Sequence, residues 1–391
     1  MRNDLSAKEA ADILGISLAT LYSYVSRGLL TPGPAQQARR KTYDRDAVMQ
    51  LAARRADAKR GGHQAAAAMH WGVPVLETRI SRIADGSLHY RGVDALELAA
   101  SRSLESVACL IWDGGGCDYF DHPLPVPATL PDLPSTLPPL EMAMAMLPLW
   151  AGTQPIDASG RFVHAAALMR LLAAILLGTQ PSSLPFHVQI GRAWQASETE
   201  FDLIRTALVL LADHELNAST FAVRCVSSTG ASLAAALGAG LAALSGPLHG
   251  GGSAAALALI HNAMGYESVH AVVTAFFAGR DPALAGFGHP LYPASDPRAA
   301  FLLGRIAALT PAPSSAAEAL EIGKIAHRQT GAAPNMDFAL AALATAFDWP
   351  PSASVILFAL ARSAGWIAHA VEQADTGALF RPRARYIGTF F

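Results

Sequence analysis

Beyond residue 159, apolar side chains recur at the three-and-four spacing of a helix almost without interruption. The period predicts helices over 159–178, 186–195, 198–213, 218–228, 230–244, 251–264, 267–278, 296–309, 314–327, 336–346 and 352–374. Before them, 94–101 and 103–112 read as short helices. Residues 77–92 alternate like a small hairpin with Asp85-Gly86 as its turn. Eight prolines from Pro123 to Pro148 exclude a continuous helix there and predict an irregular surface crossing. Helix and strand patterns do not alternate as a parallel sheet requires, so the body is expected to be mainly α.

The first 62 residues carry a different pattern. Ser6 is placed to cap a helix, with Glu9 three residues on, and Ala10, Ile13 and Leu14 repeat at helical spacing before Gly15. Ser17 caps a second helix whose apolar positions are Leu18, Leu21, Tyr22 and Val25. A basic run, Arg39-Arg40-Lys41, then precedes a third helix over 46–53. The order resembles the winged helix-turn-helix of MerR and excisionase-type proteins. That resemblance implies a DNA-binding surface of Thr20, Tyr22, Ser23, Arg27, Arg39, Arg40 and Lys41. The alternative is a three-helix cap whose basic residues merely face water.

Composition sharpens the division. The chain has 391 residues, 52% hydrophobic and 15% charged, which suits a large, mostly buried helical protein that self-associates. Residues 1–62 hold 11 Lys/Arg against 6 Asp/Glu; the remainder holds 18 against 25. A small basic head on a mildly acidic body places a boundary near Gly61-Gly62. Val226 to Leu248 is uncharged and long enough to cross a bilayer, but its Ala, Gly and Ser content fits a buried helix in a soluble protein. The first residues lack the apolar run of a signal peptide. Three cysteines without metal-ligand spacing argue against a disulfide framework and for a reducing, cytoplasmic interior.

Four short motifs carry the candidate chemistry. They are His214-Glu215-Leu216-Asn217-Ala218-Ser219, Gly246-Pro247-Leu248-His249-Gly250-Gly251, Gly286-Phe287-Gly288-His289 and Pro334-Asn335-Met336-Asp337. Any one alone reads as a core or cap residue; four in Gly-, Pro- or Asn-marked turns read as one distributed site. A histidine before a glycine-rich helix start is held neutral by the helix field, and a neutral imidazole can donate to a developing enolate oxygen. Asp337 at a helix start is a candidate general base for a proton α to a carbonyl. His289 is placed to polarise a second carbonyl. Arg298, Arg362 and Arg381 supply the forked contacts a dicarboxylate needs. The remaining histidines, His369 among them, carry no motif and read as structural or solvent-facing.

From about residue 72 to 391, these motifs in this order resemble the citrate synthase family. The resemblance implies a mainly α homodimer with a large domain (66–249 plus 358–391) and a small domain (250–357) that closes over the substrates. It implies condensation of acetyl-CoA with oxaloacetate and hydrolysis of the thioester, with no metal or redox cofactor and no membrane. Asp337 would take the methyl proton, His249 would hold the enolate, and His289 would bond the keto oxygen. His214, Arg298 and Arg362 would hold the carboxylates, Arg381 would reach across from the partner subunit, and Gly286, Phe287 and Gly288 would meet the CoA.

Two departures stand out. The run after His289 has Pro290 and Pro293 where related enzymes carry basic residues that meet CoA phosphates, which weakens anion binding. After His249-Gly250-Gly251 the chain has Gly252-Ser253-Ala254 in place of an Asn and an acidic residue, which is expected to remove supporting hydrogen bonds and loosen the site. Two further functions compete with citrate formation. One is 2-methylcitrate synthesis from propionyl-CoA. The other is a DNA-binding regulator whose synthase body senses acyl-CoA or oxaloacetate.

Overall fold

The computed structural model describes residues 4–26, 30, 42–45, 47–49, 51–52, 76–112, 118–122, 136–151 and 160–382. The chain forms two compact units, Met1–Val75 and Leu76–Phe391.

In the first unit, β1 (Asp4–Ser6) pairs antiparallel with β2 (Thr42–Asp44), Leu5 opposite Tyr43. Helix α1 (Ala7–Leu14) opens on the expected capping box: Ser6 Oγ accepts from the Glu9 amide at 3.3 Å, and Glu9 accepts from the Ser6 amide at 2.8 Å. It ends on Gly15 at φ 61°, the left-handed turn that only glycine enters without strain. Ser17 caps α2 (Leu18–Ser26) through the Thr20 amide at 3.2 Å. The core is Leu5, Ala10, Ala11, Leu14, Leu21, Leu30, Tyr43 and Val48. Ile13, Leu18 and Tyr22, expected on apolar faces, are exposed instead. The described residues of the third segment, 45, 47–49 and 51–52, are helical. Arg27, Arg39, Arg40 and Lys41 lie outside the described residues.

The second unit opens on a three-stranded meander, β3 (Ser81–Ala84), β4 (Ser87–Tyr90) and β5 (Val93–Asp94), with Ser81 opposite Tyr90. Asp85 and Gly86 both take positive φ, as the two-residue hairpin turn requires. The helices that follow are α3 (Ala95–Ser101), α4 (Leu104–Trp112), α5 (Pro139–Ala151), α6 (Arg161–Leu177), α7 (Phe186–Ala193), α8 (Glu198–Leu211), α9 (Ala218–Ser227), α10 (Leu233–Leu244), α11 (Gly252–Ala263), α12 (Val269–Phe277), α13 (Pro297–Ala307), α14 (Ser314–Thr330), α15 (Met336–Ala346) and α16 (Ala353–Thr376).

Helix α5 corrects the last part of the expected irregular crossing, whose residues 123–135 lie outside the described residues. Pro139 takes the first helical position, where its missing N–H has no partner to lose, and Leu140, Ala143 and Leu147 turn into the core. Only Pro148 interrupts the ladder. The uncharged stretch Val226–Leu248 is not one helix: it takes in the last two residues of α9, a break between Ser227 and Leu233, and α10. Among the described residues, the one helix long and apolar enough to cross a membrane is α16, and its most apolar window is 89% buried. Cys225 is a free, half-buried thiol.

Two apolar clusters fill this unit. The larger one gathers the meander, α3 to α10, α13, one face of α15, α16 and Ala316 of α14. The smaller draws on α11, α12, α14, α15 and Phe287, all between Ala256 and Ala342. The glycines of α10 and α16 set how closely helices meet. A Cβ on Gly240 would lie 2.7 Å from the Trp366 ring, and one on Gly365 would lie 2.5 Å from the Ala212 carbonyl oxygen.

Candidate active site

Helix α8 stops at Leu211, short of its expected end, and that stop frees the first histidine. His214 is buried, its ring edge-on to His289 with centroids 5.0 Å apart. Its Nε2 meets the Tyr292 hydroxyl at 3.1 Å. Burial pushes the Tyr292 hydroxyl up to about 12, so it keeps its proton. With Tyr292 as donor, the ring proton of His214 sits on Nδ1.

Two guanidinium groups flank these rings. Arg298, near the start of α13, is buried and forked onto its own N-cap, with Nε 3.0 Å and Nη2 2.8 Å from the two carboxylate oxygens of Asp296. Arg362, in α16, is 1% exposed. Its Nε donates to the Leu211 carbonyl at 2.9 Å, and its Nη1 has no hydrogen-bond partner among the described residues. Burial lowers Arg362 to about 10, with Arg298 adding to the effect, yet it stays charged at neutral pH. A buried cation with an unused donor costs several kcal/mol unless an anion meets it.

The second histidine lies one turn before α11. Its Nε2 is 2.8 Å from Ser219 Oγ, and Ser219 also accepts from the indole of Trp366 at 3.2 Å. Ser219 has one proton and two candidate acceptors, His249 and Asn217 Oδ1, the latter at 2.8 Å. When that proton goes to His249, the ring carries its own on Nδ1 and can donate there. Phe358 bridges the second histidine to the cation: Arg362 Cζ sits 4.7 Å from its ring centre and the His249 ring meets it edge-on at 6.1 Å.

Asp337 is the second residue of α15, its amide capped by Asn335 Oδ1 at 2.9 Å. Its Oδ1 accepts from Ser253 Oγ at 2.5 Å. Its Oδ2 lies so close to Gly252 that a Cβ there would stand 2.5 Å away. Gly252 is three residues past His249, so the carboxylate and the second imidazole flank one helix start. Burial raises the Asp337 carboxyl, against the opposing pull of the Ser253 bond, Arg298 and Arg362. A raised carboxylate is a better base near neutrality.

The third histidine and this aspartate are tied together through backbone. Gly286 and Gly288 take φ 88° and 78°. The Gly288 amide donates to the Ala333 carbonyl, the Asn335 amide donates to Gly286 at 2.9 Å, and Asn335 Nδ2 donates to the Gly288 carbonyl at 3.0 Å. Phe287, expected against CoA, is fully buried between Phe277 and Phe338, so its ring has no face to offer an adenine. Its part is to anchor this double loop in the smaller apolar cluster.

Behind the site runs a buried chain of charges that the sequence did not disclose. Arg224 Nε donates to His369 Nδ1 at 3.0 Å, which leaves the His369 proton on Nε2, 3.4 Å from the Asp213 carboxylate. Glu372 caps the far end on Arg224. Asp213 partly offsets the charge of Arg362. His369, read from the sequence without a motif, is thus structural and fully buried.

Arg381 does not reach these groups. It is exposed, its Nη1 donating to the Pro382 carbonyl, and the preceding Phe380 amide is pinned to Ser228 just past the C-terminal end of α9, whereas Ser219 lies at the opposite end. Ser219 stands within the first motif, so its spacing from Asn217 was the available signal. Tyr292, Ser253 and Phe358 had none beyond their neighbours.

A family model described as "Citrate synthase, C-terminal domain" matches residues 68–383, and a helix-turn-helix domain model matches residues 5–56. The chain belongs to the citrate synthase family. It is 31% identical over 330 residues to a "Putative citrate synthase 2" of Mycobacterium tuberculosis, covering 78% of this chain and 87% of that protein. It is likewise 31% identical over 365 residues to the citrate synthase of Acidithiobacillus ferridurans, covering 81% and 94%. Among solved structures, the Thermotoga maritima citrate synthase superposes with a TM-score of 0.67 at 25% identity, covering 82% of this chain and 95% of that one. A ternary complex of carboxymethyl coenzyme A and oxaloacetate with the citrate synthase of Thermoplasma acidophilum gives 0.67 at 26% identity, with the same coverage. The protein is a citrate synthase-type enzyme with a helix-turn-helix domain at its N-terminus.

The imidazoles of this citrate synthase-type enzyme make its stability depend on pH. Burial, with Arg362 or Arg298 adding, lowers His249 and His289 each to about 4 and His214 well below its ordinary value. Burial, rather than the helix field expected from the sequence, is the leading cause for His249. In the unfolded chain these rings titrate near about 6.5. Between about 6.5 and 4 the unfolded chain binds more protons, so stability is present above that window and lost as pH falls through it. The thermal midpoint is expected to fall steadily from pH 7 to pH 5, and His249→Gln to flatten that fall. A midpoint from calorimetry that is level over this range would refute the neutral-ring assignment.

Proposed function

We propose that this citrate synthase-type enzyme condenses acetyl-CoA with oxaloacetate and water to give citrate and CoA. The observation that carries the reading is the corner where the Nη1 of Arg362, unpartnered among the described residues, Arg298 and the neutral His214 and His289 converge, next to the start of α11, which His249 and Asp337 flank. A small dicarboxylate supplies the anion that the buried cations need. The ternary complex of the Thermoplasma enzyme, which holds oxaloacetate and a CoA analogue, supports the same substrates here.

Asp337 removes a proton from the acyl methyl while His249 donates to the thioester oxygen, giving an enol(ate). Its carbon attacks the keto carbon of oxaloacetate, and His289 hydrogen-bonds the keto oxygen as it becomes an alkoxide. Water then cleaves the thioester and releases CoA. His214, Arg298 and Arg362 hold the carboxylates, and Arg381 enters from the partner subunit of a homodimer. The turns at Gly286 and Gly288 are offered to the CoA. In this reading a small domain (250–357), within which the smaller apolar cluster lies, closes over the substrates against a large domain (66–249 plus 358–391). No metal or redox group enters the scheme, and the enzyme is placed in the cytoplasm.

The test is thiol release. CoA is expected to appear only when acetyl-CoA and oxaloacetate are both present. Propionyl-CoA adds one methylene, which shifts discrimination by about 1–3 kcal/mol, or roughly 10- to 200-fold. Faster release with propionyl-CoA would reassign the enzyme as a 2-methylcitrate synthase. No release from either thioester would refute condensation altogether.

A second reading rests on the helix-turn-helix match and on Tyr22, which stands 49% exposed on α2. We infer that residues 1–62 bind DNA through this helix; Thr20 is half-engaged already, its hydroxyl 2.9 Å from Ser17. The full chain is expected to retard a duplex at low salt, with affinity falling steeply as salt rises. Absence of any shift at low salt would leave the head without this role.

A further inference from the structure

Ser253 and Gly252 stand where the sequence suggested that support for the site had been lost. The structure shows the reverse. Both belong to the first turn of α11, one turn past His249. Ser253 is 5% exposed, and its hydroxyl meets Asp337 Oδ1 at 2.5 Å. Gly252 lies against the other oxygen: an added Cβ would stand 2.5 Å from Oδ2 and 2.8 Å from Cγ. On the far side, the Asp337 backbone is fixed by Asn335, whose own amide and side chain are bonded to the Gly286–Gly288 loop.

We infer that Gly252 and Ser253 form a seat for the catalytic carboxylate, in which Ser253 is a positioning residue that binds Oδ1 and Gly252 leaves room for Oδ2, the oxygen that receives the substrate proton. This rests on the assignment of Asp337 as the base. A hydroxyl has one proton. Given to Oδ1, it fixes the rotation of the carboxylate and favours the ionised form, because protonation at that oxygen would cost the bond. The incoming proton therefore goes to Oδ2. A methyl at position 252 would overlap Oδ2 and Cγ and force the carboxylate off its seat. The seat also explains why the helix tolerates glycine at its first position: that residue serves the clearance, not the helix. The charged groups that reach Asp337 from other elements are Arg298 and Asp296 at the start of α13 and Arg362 on α16, and all are left intact by changes at 252 and 253.

The experiment is the pH profile of kcat in the full-length enzyme for Ser253→Ala, Ser253→Thr and Gly252→Ala, beside Asp337→Asn. Ser253→Ala is expected to lower kcat about tenfold and to move the acidic limb toward higher pH, since the ionised carboxylate loses a charge-assisted bond. Ser253→Thr is expected to restore the limb. Gly252→Ala is expected to lower kcat by a similar factor or more, with oxaloacetate affinity unchanged by calorimetry. An acidic limb in Ser253→Ala identical to that of the wild type, while Asp337→Asn is inactive, overturns the seat and leaves the base in place. Activity retained by Asp337→Asn overturns the base itself. Should Ser253→Ala fail to fold, Gly252→Ala decides: an unchanged kcat overturns the seat.

Discussion

Asp337→Asn is expected to lower kcat by about 10²–10⁴-fold, the range that general bases contribute, while oxaloacetate still binds. The substitution keeps size and shape, so the cap from Asn335 and the packing of α15 survive. What it removes is the carboxylate that stands beside the start of α11 and takes the proton. The neighbouring imidazole, His249, is lowered to about 4 and is a weak base at neutral pH. It cannot take over the proton, although it can still donate to the thioester oxygen. Exchange of the acetyl protons of acetyl-CoA with solvent, followed by NMR in the presence of oxaloacetate, separates this step from the later hydrolysis. Exchange at the wild-type rate in the Asn variant would refute the assignment.

Arg362→Ala is expected to have the other large effect, and on a different quantity. Arg298 already has Nε and Nη2 committed to Asp296. Among the described residues, Arg362 commits only Nε, to a backbone carbonyl, and its Nη1 is buried and unused. It is therefore the better-prepared receptor for a substrate carboxylate. Truncating one side of a buried, hydrogen-bonded charge pair costs about 2–5 kcal/mol, which corresponds to roughly 30-fold to several-thousand-fold in affinity. The loss is expected in the KM and Kd for oxaloacetate, with little change in the KM for acetyl-CoA. Arg362→Lys is expected to recover little, because an ammonium cannot reach the Leu211 carbonyl and grip a carboxylate in one geometry. Oxaloacetate titration by calorimetry checks both variants, and near-wild-type binding in either would count against this role. The same change withdraws a positive charge that helps lower His249, so its titration is expected to move up toward the ordinary histidine range.

The hydrophobic period along the chain contained the helices, because helix packing in this protein is decided by which face is apolar, and that face repeats every three or four residues. It also contained the hairpin at Asp85-Gly86 and the caps at Ser6 and Ser17, since both depend on residues within four positions of each other. The four motifs could be read for the same reason: each is a turn whose glycine, proline or asparagine is required locally. The tertiary structure alone decided what those turns face. Tyr292 meets His214 from 78 positions away, Ser253 meets Asp337 from 84, and His369 meets Asp213 from 156. No period or local propensity encodes such pairings, because they follow from how the helix starts converge. It was also packing, through Phe277 and Phe338, that drew Phe287 into the core, and packing around Leu140, Ala143 and Leu147 that made a helix of a proline-rich segment.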